Sequence, residues 1–148
     1  MKKTDLEKYA IKYFSYDEIV GTGADFDSIN PEIIFKLDRL RRLLGHSIHL
    51  LSNGINSGSH KSREHKAGKA IDFYLQGSLV NPKEIIYSAI RVGFGGIGVY
   101  YNSQTDMYSF HCDIGKVRLW TGYKKTRKDS WKYLSFFNDP KNTDIGGK

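Results

Sequence analysis

An α+β fold, built on a central antiparallel sheet with helices packed on one side, is what this sequence predicts. Three observations carry the prediction. Capped segments of helical periodicity come early, strand-like runs with short polar turns cluster later, and 39% of the 148 residues are apolar. A chain of this length can bury about 70% of its unfolded surface around one core.

Taken in order, Ser15-Tyr16-Asp17-Glu18 has capping-box spacing and predicts a short helix beginning near Ser15. Asn30 can cap, and Pro31 can occupy the first position, of a helix in which Ile33, Ile34, Leu37, Leu40, Leu43 and Leu44 recur until Gly45. Its other face, with Lys36, Arg39, Arg41 and Arg42, reads as solvated. Residues 48–52 read as a buried strand, and residues 53–62, rich in Asn, Gly and Ser, as a loop. Residues 70–75 alternate around Asp72, placing Ile71 and Phe73 opposite Ala70, Asp72 and Tyr74. A second helix begins at Asn81-Pro82 and runs towards Arg91. Residues 96–120 read as a β-meander, with strands over 97–101, 107–113 and 117–120 and a polar turn at 102–106. The polar end, residues 138–148, is expected to fray.

Several classes are disfavoured by composition. No apolar run approaches the roughly 20 residues that span a bilayer, and the opening MKKTDLEKYA has lysines without an apolar stretch behind them, so neither a membrane span nor a signal peptide is expected. The single cysteine, Cys112, excludes an intramolecular disulfide framework and a structural zinc site of several thiolates. Residues 1–115 hold 14 Lys/Arg against 13 Asp/Glu and residues 116–148 hold 9 against 3, so +6 of the net +7 lies in the last 33 residues. Lys124, Lys125, Arg127, Lys128 and Lys132, interleaved with Tyr123, Trp131 and Tyr133, would attract a polyanion such as an anionic wall polymer, or simply form a solvated face. No nucleic-acid fold signature accompanies them, and a nucleic-acid role is disfavoured.

Metal chemistry, if present, must therefore use His and carboxylates. A hydrolytic zinc site needs three such ligands and a fourth position for water. His65, Asp72 and His111 supply that count. Between His65 and Asp72 the chain can leave a loop, turn at Gly68 and enter a strand, where Ala70 leaves room beside the carboxylate. His111 would come from a neighbouring strand. A surface role for each histidine, and a backbone or lysine partner for the aspartate, are the bland alternatives. An aspartate inside the run Ala70-Ile71-Asp72-Phe73-Tyr74 is nevertheless costly to bury without a partner or a cation.

The motifs His-x-x-Gly-x-Ala-x-Asp at 65–72, Gly-x-Gly-x-Tyr at 96–100, His-x-Asp-x-Gly at 111–115 and Arg-x-Trp at 118–120 resemble the zinc D-alanyl-D-alanine peptidases. That family includes peptidoglycan carboxypeptidases, the vancomycin-resistance dipeptidase, murein endopeptidases and phage endolysins, with hedgehog's zinc fold as a distant relative. The similarity covers about residues 14–121, including Phe14-Ser15-x-x-Glu18 and the helix ending in Gly45. It implies one zinc peptidase domain over 1–148, with residues 122–148 as a basic extension.

The resemblance also implies a mechanism. One Zn2+ held by His65, Asp72 and His111 would polarise the scissile carbonyl and activate a water, and a carboxylate would move the proton. In many relatives that base stands three residues before the last histidine, where this chain has Tyr108. Asp113 is the substitute candidate, with the alternative that it orients a ligating imidazole; Glu64 and Asp106 are further candidates. The relatives' Ser-Gly-Tyr-Arg is replaced here by Asn53-Gly54-Ile55-Asn56, and Arg63 is the candidate for the missing arginine. His60 lies in the same loop, with an assisting role or, more simply, a surface role open to it, and Cys112 reads as a small packed hydrophobe.

The function expected is hydrolysis of peptide bonds in bacterial peptidoglycan stems or crosslinks by a monomeric phage or prophage lysis enzyme. It would be made in the cytoplasm and act on the wall after release through a separate pore, or during phage entry. Endopeptidase and carboxypeptidase action stay open, as does a catalytically silent zinc module that recognises wall peptides or a protein partner.

Overall fold

The structure, a computed structural model, describes residues 1–60, 62–76 and 80–135. Five helices, α1 (Lys3–Lys8), α2 (Tyr16–Gly21), α3 (Pro31–Leu44), α4 (Arg63–Lys66) and α5 (Pro82–Val92), accompany six strands. These are β1 (His49–Leu50), β2 (Ala70–Tyr74), β3 (Gly96–Asn102), β4 (Met107–Asp113), β5 (Arg118–Lys124) and β6 (Lys132–Leu134). They form one mixed sheet in the order β1-β2-β4-β3-β5-β6, antiparallel at every pairing except β3 with β5. The α+β class and the mostly antiparallel sheet are as predicted. No helix among the described residues is long and apolar enough to cross a membrane. The fraying expected for residues 138–148 lies outside the described residues.

The helix signals act as read. Ser15 accepts from the Glu18 amide, Asn30 from the Glu32 amide and Asn81 from the Lys83 amide. Gly45 and Gly93 close α3 and α5 in the left-handed conformation, at φ 69° and 96°. The apolar sides of α3 (Ile33, Ile34, Leu37, Leu40) and α5 (Ile85, Ile86, Ala89) join the sheet residues Ile71, Phe73, Ile97, Val99, Phe110 and Cys112 in one core. Alternation along the strands leaves the other face of the sheet for polar side chains. α3's charged side is also used: Asp38 is buried and accepts from the Lys12 and Tyr13 amides, and Arg41 donates to the Tyr13 carbonyl, tying the N-terminal segment down.

The meander is corrected. β4 and β5 are joined by residues 114–117, yet β5 lies beside β3 and parallel to it. The link passes the start of β3, where the Gly95 amide donates to the Asp113 carbonyl and the Arg118 amide to the Gly95 carbonyl. A side chain at residue 95 would strike the Gly115 backbone. A short link between antiparallel partners does not reveal that a third strand sits between them. The sheet also runs past Thr121, since β5 continues to Lys124 and β6 adds 132–134, so the basic segment supplies strands. The strand expected over 48–52 shortens to two residues because Asn53, at φ 57°, turns the chain.

Candidate metal centre

Register builds the centre on the polar face. Asp72 of β2 pairs with His111 of β4, which pairs with Gly98 of β3, which pairs with Trp120 of β5, making one row across four strands. On one side lies Ala70-Asp113-Gly96-Arg118, and on the other Tyr74-Ser109-Tyr100-Gly122. The glycines of β3 and β5 exist for their neighbours: a Cβ at Gly96 would meet the Asp113 carboxylate, at Gly98 the Trp120 ring, and at Gly122 the Tyr100 ring. Each gap is filled by a large side chain from the adjoining strand.

His65 arrives from outside the sheet. Ser62 caps the one-turn helix α4 by accepting from the His65 amide, and Gly68 at φ 68° reverses the chain into β2. Only glycine fits there, because a Cβ would strike the Ser28 carbonyl. The turn brings His65 Nε2 to 3.2 Å from Asp72 Oδ1 and 3.0 Å from His111 Nδ1, with His111 Nδ1 3.1 Å from Asp72 Oδ1.

Both imidazoles are oriented from behind. His65 Nδ1 donates to the Ile55 carbonyl at 2.6 Å, and His111 Nε2 donates to Asp113 Oδ2 at 2.7 Å. Their inward nitrogens are therefore lone pairs in the neutral rings. Two lone pairs and a carboxylate oxygen converge with no donor between them, which calls for a proton or a cation. Donors around tetrahedral zinc lie about 3.3 Å apart, so the separations of 3.0–3.2 Å fit one such ion. Without an ion, protons take its place. Burial alone would raise the Asp72 carboxyl, but hydrogen bonds and charge from His111 and His65 hold it down at about 2. Burial alone would lower His111, but its hydrogen bonds to Asp113 and Asp72 raise it.

Asp113 is fully buried, and all of its acceptor positions are in use. Oδ1 accepts from the Gly96 amide at 3.1 Å and the Gly115 amide at 2.9 Å, and Oδ2 from His111 Nε2 and an Arg118 guanidinium N–H, each at 2.7 Å. It lies behind the imidazole, on the side away from Asp72. Burial would raise it, yet His111, the Gly115 amide and Arg118 hold it below the usual carboxylate range.

A family model described as peptidoglycan L,D-endopeptidase MepK matches residues 46–120, which contain the whole His65-Asp72-His111 set and Asp113. The chain belongs to this MepK family. The resemblance to zinc D-alanyl-D-alanine peptidases is thereby borne out. Comparison with curated proteins and with solved structures gives no match.

Within the MepK-family site, other residues fall differently from their sequence readings. Tyr108, on the opposite strand parity from His111, is buried in the apolar core. Asp106 accepts from the Tyr101 hydroxyl at the β3–β4 turn, and Glu64 Oε2 accepts from the Ser62 hydroxyl, 3.8 Å from Arg118. Arg63 is exposed on α4 and does not line the cleft. The arginine that does is Arg118, held by Asp113 and lying over the Trp120 ring. His60 is no bystander. Its ring stacks on His65 with centroids 3.8 Å apart and planes 14° from parallel, and its Nε2 donates to the Asn53 carbonyl at 2.6 Å. His60, His65 and Asp72 each offer a donor atom, all within 4.8 Å of one another.

The cleft over these residues holds about 410 Å³. His60 and Ser62 line one side, and Tyr100, Trp120, Trp131 and Tyr133 form an aromatic wall on the other. Trp131 and Tyr133 lie beyond the matched stretch; Tyr133 stands on β6 and Trp131 immediately before it. Sequence reading missed the Trp131 and Tyr133 half of this wall because aromatics in a basic tail carry no positional signal. The Gly-x-Gly-x-Tyr motif could have pointed to Tyr100.

Proposed function

We propose that the chain is a zinc-dependent peptidase that hydrolyses peptide bonds in peptidoglycan, cutting as an L,D-endopeptidase in keeping with its family's description. The convergence of His65 Nε2, Asp72 Oδ1 and His111 Nδ1, three acceptors without a donor, carries the reading. When bound there, zinc supplies a polarising charge for a carbonyl and lowers the pKa of a water towards about 7. The chain's own residues do the rest. Asp113 and the Ile55 carbonyl fix both imidazole tautomers so that the lone pairs face inward. With its lone pairs spent, Asp113 acts as an orienting carboxylate and not as the proton acceptor. Arg118 holds Asp113 in place and presents the positive charge that Arg63 does not bring to the cleft. His60, with Nε2 tied to the loop, faces substrate from beside the two ligands nearest it. The aromatic wall excludes water and offers flat surfaces to the stem peptide.

We also propose a lytic role on the wall, of phage or prophage type, supported by the positive charge of residues 116–148, which favours an anionic wall polymer. The deciding experiment is mass analysis of purified peptidoglycan digested with and without chelator. Expected are fragments from L,D cleavage that vanish with chelator and in His65→Ala and His111→Ala. Stoichiometric zinc without any cleavage would favour the silent wall-binding module, since Asp72 is the only carboxylate lining the cleft among the described residues.

A further inference from the structure

We propose that Tyr100 is a catalytic residue: its phenolic O–H donates to the carbonyl oxygen of the scissile bond as that oxygen becomes an anion. The inference rests on the peptidase reading above. Tyr100 stands on the polar face of β3, two residues beyond Gly98, and Gly98 pairs with His111. Its ring lies over Gly122, where a Cβ would collide with it, and is braced edge-on by Trp131 at 5.0 Å and Tyr133 at 6.2 Å. Trp120, whose ring lies 5.0 Å from that of His111, donates its indole N–H to the Tyr100 oxygen at 2.7 Å.

That hydrogen bond fixes what the hydroxyl can do. An indole N–H only donates, so the Tyr100 oxygen is the acceptor and its own hydrogen points elsewhere. Among the described residues no protein acceptor takes that hydrogen, and the group lines the same cleft as His65, Asp72 and His111. The result is a donor held by a rigid ring and aimed by a second ring that itself packs on a metal-binding histidine. Burial, opposed by the Trp120 bond, pushes the phenol up to about 12, so the proton stays on oxygen at any working pH. A donor set before the reaction, in a cleft walled by aromatics, stabilises developing negative charge without reorganisation.

In the reaction Tyr100 gives up no proton. Water adds its oxygen to the carbonyl carbon, the C–N bond breaks, and the leaving nitrogen takes the proton that the water loses. Tyr100 holds the carbonyl oxygen throughout and releases it when the carboxylate product forms. This is the service that the loop arginine would give in a chain carrying Ser-Gly-Tyr-Arg, and here Asn56 stands in that place.

The test compares wild type with Tyr100→Phe, which keeps the ring and its packing. Zinc content, thermal midpoint and KM should stay at wild-type values, while kcat falls by about 10²–10³-fold. Binding of a phosphinate analogue of the scissile bond, measured by calorimetry, should weaken by a similar factor, and binding of an uncleaved product peptide should not. Trp120→Phe, which frees the hydroxyl's direction, should give a smaller loss, and adding it to Tyr100→Phe should not deepen the loss of that variant. An active wild type whose Tyr100→Phe variant keeps its kcat and its phosphinate affinity would overturn this inference alone. A zinc-loaded wild type that cuts no wall peptide would overturn it together with the peptidase reading.

Discussion

Replacing Asp113 by asparagine separates orientation from proton transfer. The side chain keeps its shape, but one oxygen becomes an N–H donor. If the amide oxygen stays with the Gly96 and Gly115 amides, the new NH2 faces His111 Nε2–H and the Arg118 guanidinium, donor against donor. Turned round, it leaves two backbone amides without an acceptor. In the first arrangement two charge-assisted hydrogen bonds worth about 1.5–3 kcal/mol each are lost. The bond to Arg118 counts for less, because that side chain is 38% exposed, giving about 2–4 kcal/mol in all. The imidazole can relieve the clash only by moving its proton to Nδ1, the nitrogen that faces Asp72 and His65. Zinc affinity should then fall about 10–100-fold, or about 1.4–2.7 kcal/mol. Competition with a chromophoric chelator measures the zinc Kd, and a thermal melt measures the stability. A variant with wild-type zinc affinity and no activity would refute the orienting role and return Asp113 to the position of proton acceptor.

Gly68→Ala should destabilise the protein by about 2 kcal/mol or more in a denaturant titration, from a left-handed φ and contact with the Ser28 carbonyl; a change under half that size would contradict the account of the His65 turn. His60→Ala should lower kcat about tenfold or more while leaving stoichiometric zinc, and loss of the metal instead would make His60 a ligand. In metal-free protein, His111 is raised, so its contribution is whole below about 6.5 and is lost as pH climbs through its folded value. Asp72 is depressed to about 2, so its contribution is whole above about 4 and is lost as pH drops towards 2. The thermal midpoint of chelator-treated protein should therefore be lower at pH 8.5 than at pH 5.5, and a midpoint that rises over that interval would contradict the shared-proton picture.

How much of this was legible depended on whether the signal was local. The caps at Ser15, Asn30 and Asn81 each lie within three residues of the amide they accept from, and each formed as read. Parity along 70–74 put Asp72 opposite Ile71 and Phe73, and the motif spacing named His65, Asp72 and His111 together. The neighbours of β5 were not legible, because a link over 114–117 suits either an adjacent strand or one placed a strand away. The loop residues divided in the same manner. For His60 an assisting role stood behind a surface one because nothing in Ser59-His60 announces a stack on His65, and Arg63 looked useful because sequence proximity ignores which way a helical turn points.

The passage of residues 114–117 across the start of β3 also bears on how the molecule assembles. β3 and β4 are joined by a tight turn and can zip early, but β5 can dock only once β3 is already seated, since β3 supplies its edge. Arg118 rides on β5, so the clamp behind His111 closes only after β3 is seated. If this centre binds a metal ion, a partly folded chain would hold it loosely, and firm capture would report that β5 has docked.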